Sequence, residues 1–219
     1  MNFLNRRTVI LGLPLVLAGC ATAQPEAPLA QAQPFDPAGG APDYGPITDE
    51  PFPVPAVNLT RVDPELLRQT VAYQSPHGPG TIIVDIAARR LYLIQPGGAA
   101  LRYGVGVGRE EALNFQGSAK IGRKAEWPTW TPTESMMQSI PRYRAYAKGM
   151  PGGEGNPLGP RALYLFRDNE DTHFRLHGTT QPLSIGKAVS SGCIRLFNQD
   201  IIDLYKRVPV GADLVVMQA

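Results

Sequence analysis

The chain has few cysteines and no long apolar run, and each shortage excludes a class of protein. Its 219 residues include two cysteines, Cys20 and Cys193, so a framework of several disulfides is excluded. The longest apolar run near the start, at 9–17, is shorter than the roughly 20 residues that a membrane-spanning helix needs. What the chain has in abundance is 23 glycines and 22 prolines, which favour turns and irregular segments.

The chain also has only a small excess of one sign of charge. The formal net charge is only +2, and after residue 60 the basic residues exceed the acidic ones by five. No clustered basic stripe of the kind that nucleic-acid binding requires is visible. We therefore expect no nucleic-acid partner.

The first 20 residues have the pattern of an export signal. Arg6 and Arg7 precede the apolar run, and small residues precede Cys20. The segment 17–20 (LAGC) resembles the lipobox of bacterial lipoproteins, which implies that Cys20 is lipidated and becomes the first residue of the mature protein. The two arginines resemble a twin-arginine signal without its full consensus, so the export route stays open.

The next segment has a different composition. Residues 21–60 contain nine prolines, five acidic residues and no lysine or arginine. This composition predicts a disordered, proline-rich tether over 21–62. In the lead-in at 63–78, Pro64 stands at a helix start, and Leu66, Leu67 and Val71 follow at helical spacing, which predicts a short helix over 63–73.

The remaining residues, 79–218, have the length of one domain and a mainly β pattern. One clear helix should follow Asn198, a suitable N-cap, and end before Pro209. The runs rich in β-branched and aromatic residues, which predict strands, lie at 81–86, 90–94, 101–108, 162–166, 173–177 and 214–217.

Patterns for nucleotides and metals fail on spacing. The glycine-rich stretches at 104–108, 149–159 and 186–188 lack the residues of phosphate-binding loops. His173 and His177 would need a helix to share a metal with Cys193. Phe174 and Leu176 alternate with them, which is strand periodicity, so the two imidazoles should lie roughly 13 Å apart. We therefore expect no metal and no cofactor.

Trp127 and Trp130 lie in a segment that two prolines keep from being helical. Two tryptophans there could pack in the core or line a substrate groove. The sequence favours packing.

Cys193 has the surroundings of a nucleophile. Lipidation of Cys20 would leave it unpaired, and small residues, Ser190 and Gly192 among them, precede it. His177 lies sixteen residues earlier and could act as its base, lowering the pKa of the thiol. A backbone carbonyl should orient that imidazole, because no acidic residue stands next to it in the sequence. Backbone amides near Cys193 could form an oxyanion hole.

The run from His177, with its HGT, to the SIGKAVSSGCIR of 184–195 resembles the L,D-transpeptidase catalytic domain of the YkuD type. The segments 126–132, 156–159, 162–164 and 208–211, and the hairpin at 82–94, match that family in the same order. The resemblance covers about 79–218. It implies a mainly β fold, a mixed β-sheet sandwich with a few short helices, one of them after the cysteine segment.

The resemblance also implies roles for residues. Cys193 would be the nucleophile, His177 the general base and acid, and the Gly178 carbonyl the group that orients His177. The residues that would shape the substrate pocket and oxyanion site are Ser190, Ser191, Gly192 and Arg195. Many family members carry a second histidine where this chain has Ser191, so any tuning by that imidazole is absent.

The implied activity is attack on a peptidoglycan tetrapeptide stem, release of its terminal D-alanine and transfer of the acyl group to an amine. The amine could belong to another stem, an envelope protein or a D-amino acid. Two alternatives stay open: the same chemistry with water as acceptor, and a non-catalytic wall-binding module. A lipid anchor at Cys20 would hold the domain at the periplasmic face of a membrane, and Ala21 favours the outer membrane.

Overall fold

The structure is a computed structural model, and it describes residues 42–217. The predicted export signal, Cys20 and residues 21–41 of the predicted tether lie outside the described residues. Among the helices between 42 and 217, none is both long enough and apolar enough to cross a membrane.

Eleven strands and two α-helices make up the described chain, with short 3-10 turns between them. The strands are β1 (Gln69–Ala72), β2 (Ile82–Asp85), β3 (Arg90–Gln95), β4 (Ala99–Gly104), β5 (Val107–Gly108), β6 (Gly117–Glu126), β7 (Arg161–Arg167), β8 (Glu170–His177), β9 (Ala188–Ser190), β10 (Ile194–Arg195) and β11 (Asp213–Met217). The helices are α1 (Glu134–Ser139) and α2 (Asn198–Arg207). The expectation of a mainly β fold with a helix after the cysteine segment is confirmed.

Nine of the strands form one mixed sheet in the order β1-β4-β3-β2-β11-β6-β7-β8-β10, and β5 pairs with β9. The β2–β11 and β8–β10 pairs are parallel, whereas the other pairs in the large sheet are antiparallel. Gly106, just after β4, bridges to Arg195 on β10 through two backbone hydrogen bonds of 2.9 and 2.8 Å. The sheet therefore curves until strands near its two ends meet.

One apolar core lies inside this curved sheet. Residues from both halves of the sheet contribute to it, among them Leu91 and Tyr103 from one half and Leu163 and Leu176 from the other. The helix α2 closes it with Ile201 and Leu204, which are fully buried. Because side chains alternate along a strand, residues next to these core positions on β7, β8 and β10 face the other side of the sheet.

The longest strand, β6, is missing from the strands expected from the sequence. Only Ala119 and Ile121 of its ten residues are buried, and three of the others, Lys120, Arg123 and Lys124, are basic. Its apolar signal is therefore short. Cross-strand pairing with β7 and β11, rather than an apolar pattern, sets its length.

Residues 42–62 are not a disordered tether, in contrast to the expectation from composition. Tyr44 and Val54 are buried there. Glu50 accepts two hydrogen bonds from the guanidinium of Arg161, at 2.9 and 2.6 Å, and one from the Trp127 indole at 3.0 Å. A few well-placed anchors thus hold a segment whose average composition is that of a linker. We refer to residues 42–62 as the strap.

The prediction of a helix over 63–73 is also wrong. The structure has a 3-10 turn at Pro64–Leu66, capped by the Asp63 carboxylate, and then the strand β1. Strand β1 pairs with β4 along its whole length. The backbone hydrogen bonds available at that sheet edge outweigh the weak helical spacing of three apolar residues.

Candidate active site

Two neighbouring strands bring the predicted catalytic residues to one surface. Strands β8 and β10 run parallel with Arg195 opposite His177, and Ile194 opposite Leu176. Leu176 and Ile194 point into the core. Side chains two residues apart on a strand share a face, and Cys193, which directly precedes β10, lies next to Arg175. We call the four side chains on this opposite surface the catalytic face: Arg175, His177, Cys193 and Arg195.

The turn after His177 is tied to the start of α2. The Asn198 carboxamide oxygen accepts a hydrogen bond from the Thr179 backbone amide at 2.8 Å, and the Leu196 amide donates to the His177 carbonyl at 2.9 Å. Asn198 was expected to be the N-cap, but Phe197 occupies that position without a side-chain cap. Asn198 instead connects the helix to the loop that carries the histidine.

The backbone fixes the orientation of the His177 ring. Nδ1 lies 2.7 Å from the carbonyl oxygen of Gly178. A carbonyl can only accept a hydrogen bond, so Nδ1 carries the proton and the neutral ring keeps its lone pair on Nε2. Gly178 therefore occupies the position expected of the residue that orients the histidine. His177 is 5% exposed, which leaves its ring little freedom to rotate.

Both partners of the predicted pair favour their neutral forms. Burial, first, and the nearby Arg195 charge, second, lower the pKa of His177 to about 3. Burial also raises the pKa of the Cys193 thiol, although that residue is only partly buried. A thiol and a neutral imidazole are therefore the resting state at neutral pH.

The thiol pKa departs from the expectation in one respect. The imidazole was expected to lower it, but a neutral ring carries no charge that could do so. The groups that oppose the effect of burial on Cys193 are Arg175, first, and Arg195. Arg175 and Arg195, rather than His177, are therefore the groups that favour the thiolate of Cys193.

The residues just before Cys193 form a tight turn. The Ser190 hydroxyl donates to the Cys193 carbonyl at 2.7 Å, and the Gly192 amide donates to the Ser190 hydroxyl oxygen at 3.1 Å. The Gly192 amide is therefore already engaged and does not point to an oxyanion. Its φ of +124° and the Leu113 carbonyl that a Cβ would strike explain why glycine is needed there. Ser191 is exposed.

Arg195 extends the catalytic face toward a neighbouring segment. Its guanidinium donates to the Gln181 side chain at 3.3 Å. Tyr143, in the segment 127–160 between β6 and β7, is close enough to act on the pKa of Arg195. Tyr143 packs edge-on against Trp130 with ring centroids 5.0 Å apart, and Trp130 is 9% exposed. Trp130 therefore packs as expected, and it supports a residue beside the site.

The base of this segment is held by the strap. The Trp127 backbone amide donates to the Pro160 carbonyl at 2.7 Å, and the Trp127 indole donates to Glu50. Asn156 donates to three backbone carbonyls of the same segment, those of Pro128, Met150 and Pro151. These contacts fix both ends of the segment next to β7.

Three residues with a bearing on the site were not found by sequence reasoning: Arg175, Tyr143 and Glu50. Arg175 could have been found by its place two residues before His177, which puts it on the same strand face. The other two depend on long-range folding and carry no local signal. Between residues 42 and 217, no group of three or more His, Cys, Asp or Glu side chains is arranged to hold a metal ion.

Comparison with known proteins shows the family to which this chain belongs. The model of the YkuD L,D-transpeptidase catalytic domain matches residues 79–217. The probable L,D-transpeptidase YbiS of Escherichia coli K12 is 38% identical over 138 residues, which are 59% of this chain and 42% of YbiS. The probable L,D-transpeptidase ErfK/SrfK of the same strain is 36% identical over 141 residues, covering 62% of this chain and 43% of that protein. The match thus spans less than half the length of these relatives.

A solved structure from Brucella melitensis, described as a probable carnitine operon oxidoreductase, is 46% identical to this chain. The alignment covers 73% of this chain and 99% of that one, with a TM-score of 0.49. That description concerns the Brucella protein and names another class of enzyme. The family model, which matches the segment containing the whole catalytic face, is what assigns this chain.

Proposed function

Because the chain belongs to the YkuD L,D-transpeptidase catalytic domain family, we propose that it is a cysteine-dependent L,D-transpeptidase of peptidoglycan stem peptides. The observation that carries the proposal is the hydrogen bond between His177 Nδ1 and the Gly178 carbonyl. It leaves Nε2 as a base on the same face as Cys193. A histidine that served only packing would not need this tautomer.

In the first half-reaction, the Cys193 thiol gives its proton to His177 Nε2, and the sulfur attacks the carbonyl carbon between the third and fourth stem residues. A tetrahedral oxyanion forms. When it collapses, the carbon–nitrogen bond breaks and His177 returns the proton to the leaving amine, which departs as D-alanine. The acyl group remains on Cys193 as a thioester.

In the second half-reaction, an amine attacks the thioester carbonyl and gives a proton to His177. The carbon–sulfur bond breaks and the sulfur recovers its proton from the imidazolium. The acceptor would be an amine of another stem, an envelope protein or a D-amino acid. Water would make the protein a hydrolase, and its share depends on how well the acceptor side excludes water.

We also propose that lipidation at Cys20 anchors the domain at the periplasmic face of a membrane. The support is the resemblance of residues 17–20 to a lipobox. The packed strap begins by residue 42, so the chain between Cys20 and the strap would be what sets the distance between domain and membrane.

The test is acylation by a defined tetrapeptide donor, followed by intact-mass spectrometry. We expect wild-type protein to gain the mass of the tripeptide acyl group, with release of one D-alanine. Cys193→Ala should gain nothing, and Cys20→Ser should behave as wild type. No adduct on the wild-type protein, or an adduct that survives Cys193→Ala, would overturn the proposal.

Addition of an amine acceptor then distinguishes the products. Dimeric peptides would support transfer, and tripeptide alone would indicate hydrolysis. A wall-binding module without catalysis would release no D-alanine in either assay.

A further inference from the structure

Arg175 has a position on the catalytic face that none of the proposed roles uses. The pairing of Ile194 with Leu176, and of Arg195 with His177, sets the register of the two parallel strands. Continued by one residue, that register puts Cys193 opposite Arg175. Adjacent strands lie about 4.8 Å apart, so Arg175 is the cross-strand neighbour of the sulfur-bearing residue.

The guanidinium of Arg175 is held in place from two sides. It lies over the Tyr164 ring, 4.9 Å from the centroid, and its Nη1 donates to the His173 carbonyl at 3.3 Å. His173 has a φ of +63°, unusual for a residue other than glycine. The local backbone thus departs from regular strand geometry at the residue whose carbonyl receives this hydrogen bond.

One donor of this side chain is buried without a partner. Arg175 Nε makes no hydrogen bond within the described chain. A buried donor without a partner destabilises the folded state, and a charged one does so more strongly. A positive group kept in that condition beside a cysteine is suited to a negative charge that develops only during the reaction.

The two arginines of the catalytic face act on different partners. Arg175 is the main group opposing the burial effect on the pKa of the Cys193 thiol, chiefly through its charge, whereas Arg195 contributes least. For His177 the order is reversed: Arg195 lowers the pKa of the imidazole more than Arg175 does. Arg175 therefore favours a thiolate with little penalty for the imidazolium that must form beside it.

We propose that Arg175 stabilises the negative charge on Cys193 Sγ while the thiol proton moves to His177 Nε2. Without it, a partly buried thiolate would have only the imidazolium and the weaker effect of Arg195 to balance its charge. The assignment rests on the proposed function for the identity of the nucleophile. The charge on the sulfur, however, can be measured without any stem peptide.

The experiment measures the rate of Cys193 alkylation by iodoacetamide against pH, with Cys20→Ser in every protein so that one thiol remains. Only the thiolate reacts, so the profile reports the thiol pKa. We expect Arg175→Met to move the profile to higher pH and to lower the rate at pH 7 by about three- to tenfold, since one pKa unit is tenfold in thiolate. Arg175→Lys should recover part of the rate.

Arg123 offers a matched control. Its guanidinium lies over the same Tyr164 ring, 3.5 Å from the centroid, but on β6, with β7 and β8 between it and Cys193. Arg123→Met disturbs the packing of Tyr164 and should leave the alkylation profile unchanged. Circular dichroism would verify that each variant is folded.

An unchanged profile in folded Arg175→Met would overturn the proposal, as would an equal shift in Arg123→Met. These outcomes are separate from the fate of the proposed function. If the tetrapeptide fails to acylate the wild-type protein while Arg175→Met still shifts the alkylation profile, the transpeptidase assignment falls and the role of Arg175 stands.

Discussion

Two of the regions in which this domain buries titratable groups differ in charge balance. The first, which we call the anchor cluster, joins the strap and β4 to α2, and it consists of Tyr44, Arg68, Tyr103, Asp200 and Asp203. The Tyr44 hydroxyl donates to the Asp200 carboxylate at 2.9 Å, and Arg68 Nη1 lies 3.2 Å from Asp203. Acids and base compensate one another there. The second region is the catalytic face.

On the catalytic face, the charges that act on His177 and Cys193 are both positive, from Arg175 and Arg195. A site with an excess of one sign destabilises its own resting state and stabilises an opposite charge that appears later. This difference indicates that the anchor cluster serves the fold, whereas the charge on the catalytic face suits the thiolate and oxyanion of the proposed reaction.

The two regions also respond to pH in opposite directions. Burial raises the pKa of Asp200 to about 7, so the folded state holds a proton that the unfolded state loses above about pH 4. Stability from this group falls as pH rises from about 4 to 7. The pKa of His177 is lowered to about 3, so the unfolded state takes up the extra proton below about pH 6.5, and stability from this group rises with pH. Between about pH 4 and 6.5 the two effects oppose each other.

The largest expected effect removes the base. His177→Gln should lower the rate of acylation of Cys193 by about 10²- to 10⁴-fold, the usual contribution of general acid–base catalysis. His173→Gln, on the same strand but exposed, is the matched control and should retain the wild-type rate. Stopped-time mass spectrometry of the acyl adduct measures both. Equal rates in wild type and His177→Gln would contradict the role of the imidazole.

Local sequence signals decide which residues of the site can be predicted. Cys193, His177 and Gly178 were predicted because a motif and strand periodicity place them together, and the core strands were predicted by their apolar runs. Arg175 was missed because an arginine on an alternating strand normally indicates a solvent-facing side. Glu50 was missed because its partner Arg161 lies 111 positions away, and composition averaged over the strap conceals the few residues that anchor it.

The next effect tests charge pairing in the strap. The Glu50–Arg161 pair is buried, with side chains 10% and 8% exposed. Removal of one partner of a buried pair leaves the other charge uncompensated, so Glu50→Ala should lower the free energy of unfolding by about 3–5 kcal/mol. Urea denaturation measures this.

The exposed pair between Glu65 and Arg102 is the control for the strap variant, since Glu65 is 64% exposed. Glu65→Ala should cost at most about 1 kcal/mol. Similar losses in the Glu65 and Glu50 variants would show that the strap does not contribute to the stability of the domain.

A smaller effect separates the two pH responses. Asp200→Asn leaves the His177 response alone, so the free energy of unfolding should rise with pH by up to about 1.4 kcal/mol per unit between about pH 4 and 6.5. In His177→Gln only the Asp200 response remains, so the free energy of unfolding should fall with pH by a similar amount. Denaturant titrations at several pH values measure both slopes. If the free energy of unfolding changes with pH in the same direction in both variants, Asp200 and His177 do not oppose each other.

The smallest effect lies within the anchor cluster. Tyr44→Phe removes the hydroxyl that donates to Asp200 and should lower the free energy of unfolding by about 1.5 kcal/mol, at the lower end for a hydrogen bond to a charged group. Thermal unfolding measures the change, and the alkylation profile of Cys193 should not move. A shift of that profile would mean that the two regions are coupled.

The central claim is that the free protein holds a neutral imidazole at His177 with its proton on Nδ1. Nitrogen NMR of the three histidine rings, with the His177 signals assigned through His177→Gln, tests it directly. We predict a neutral Nδ1–H tautomer for His177 that persists from pH 7.5 down to pH 5. An imidazolium signal at His177 near pH 7, or a proton on Nε2 in the neutral ring, would contradict the account.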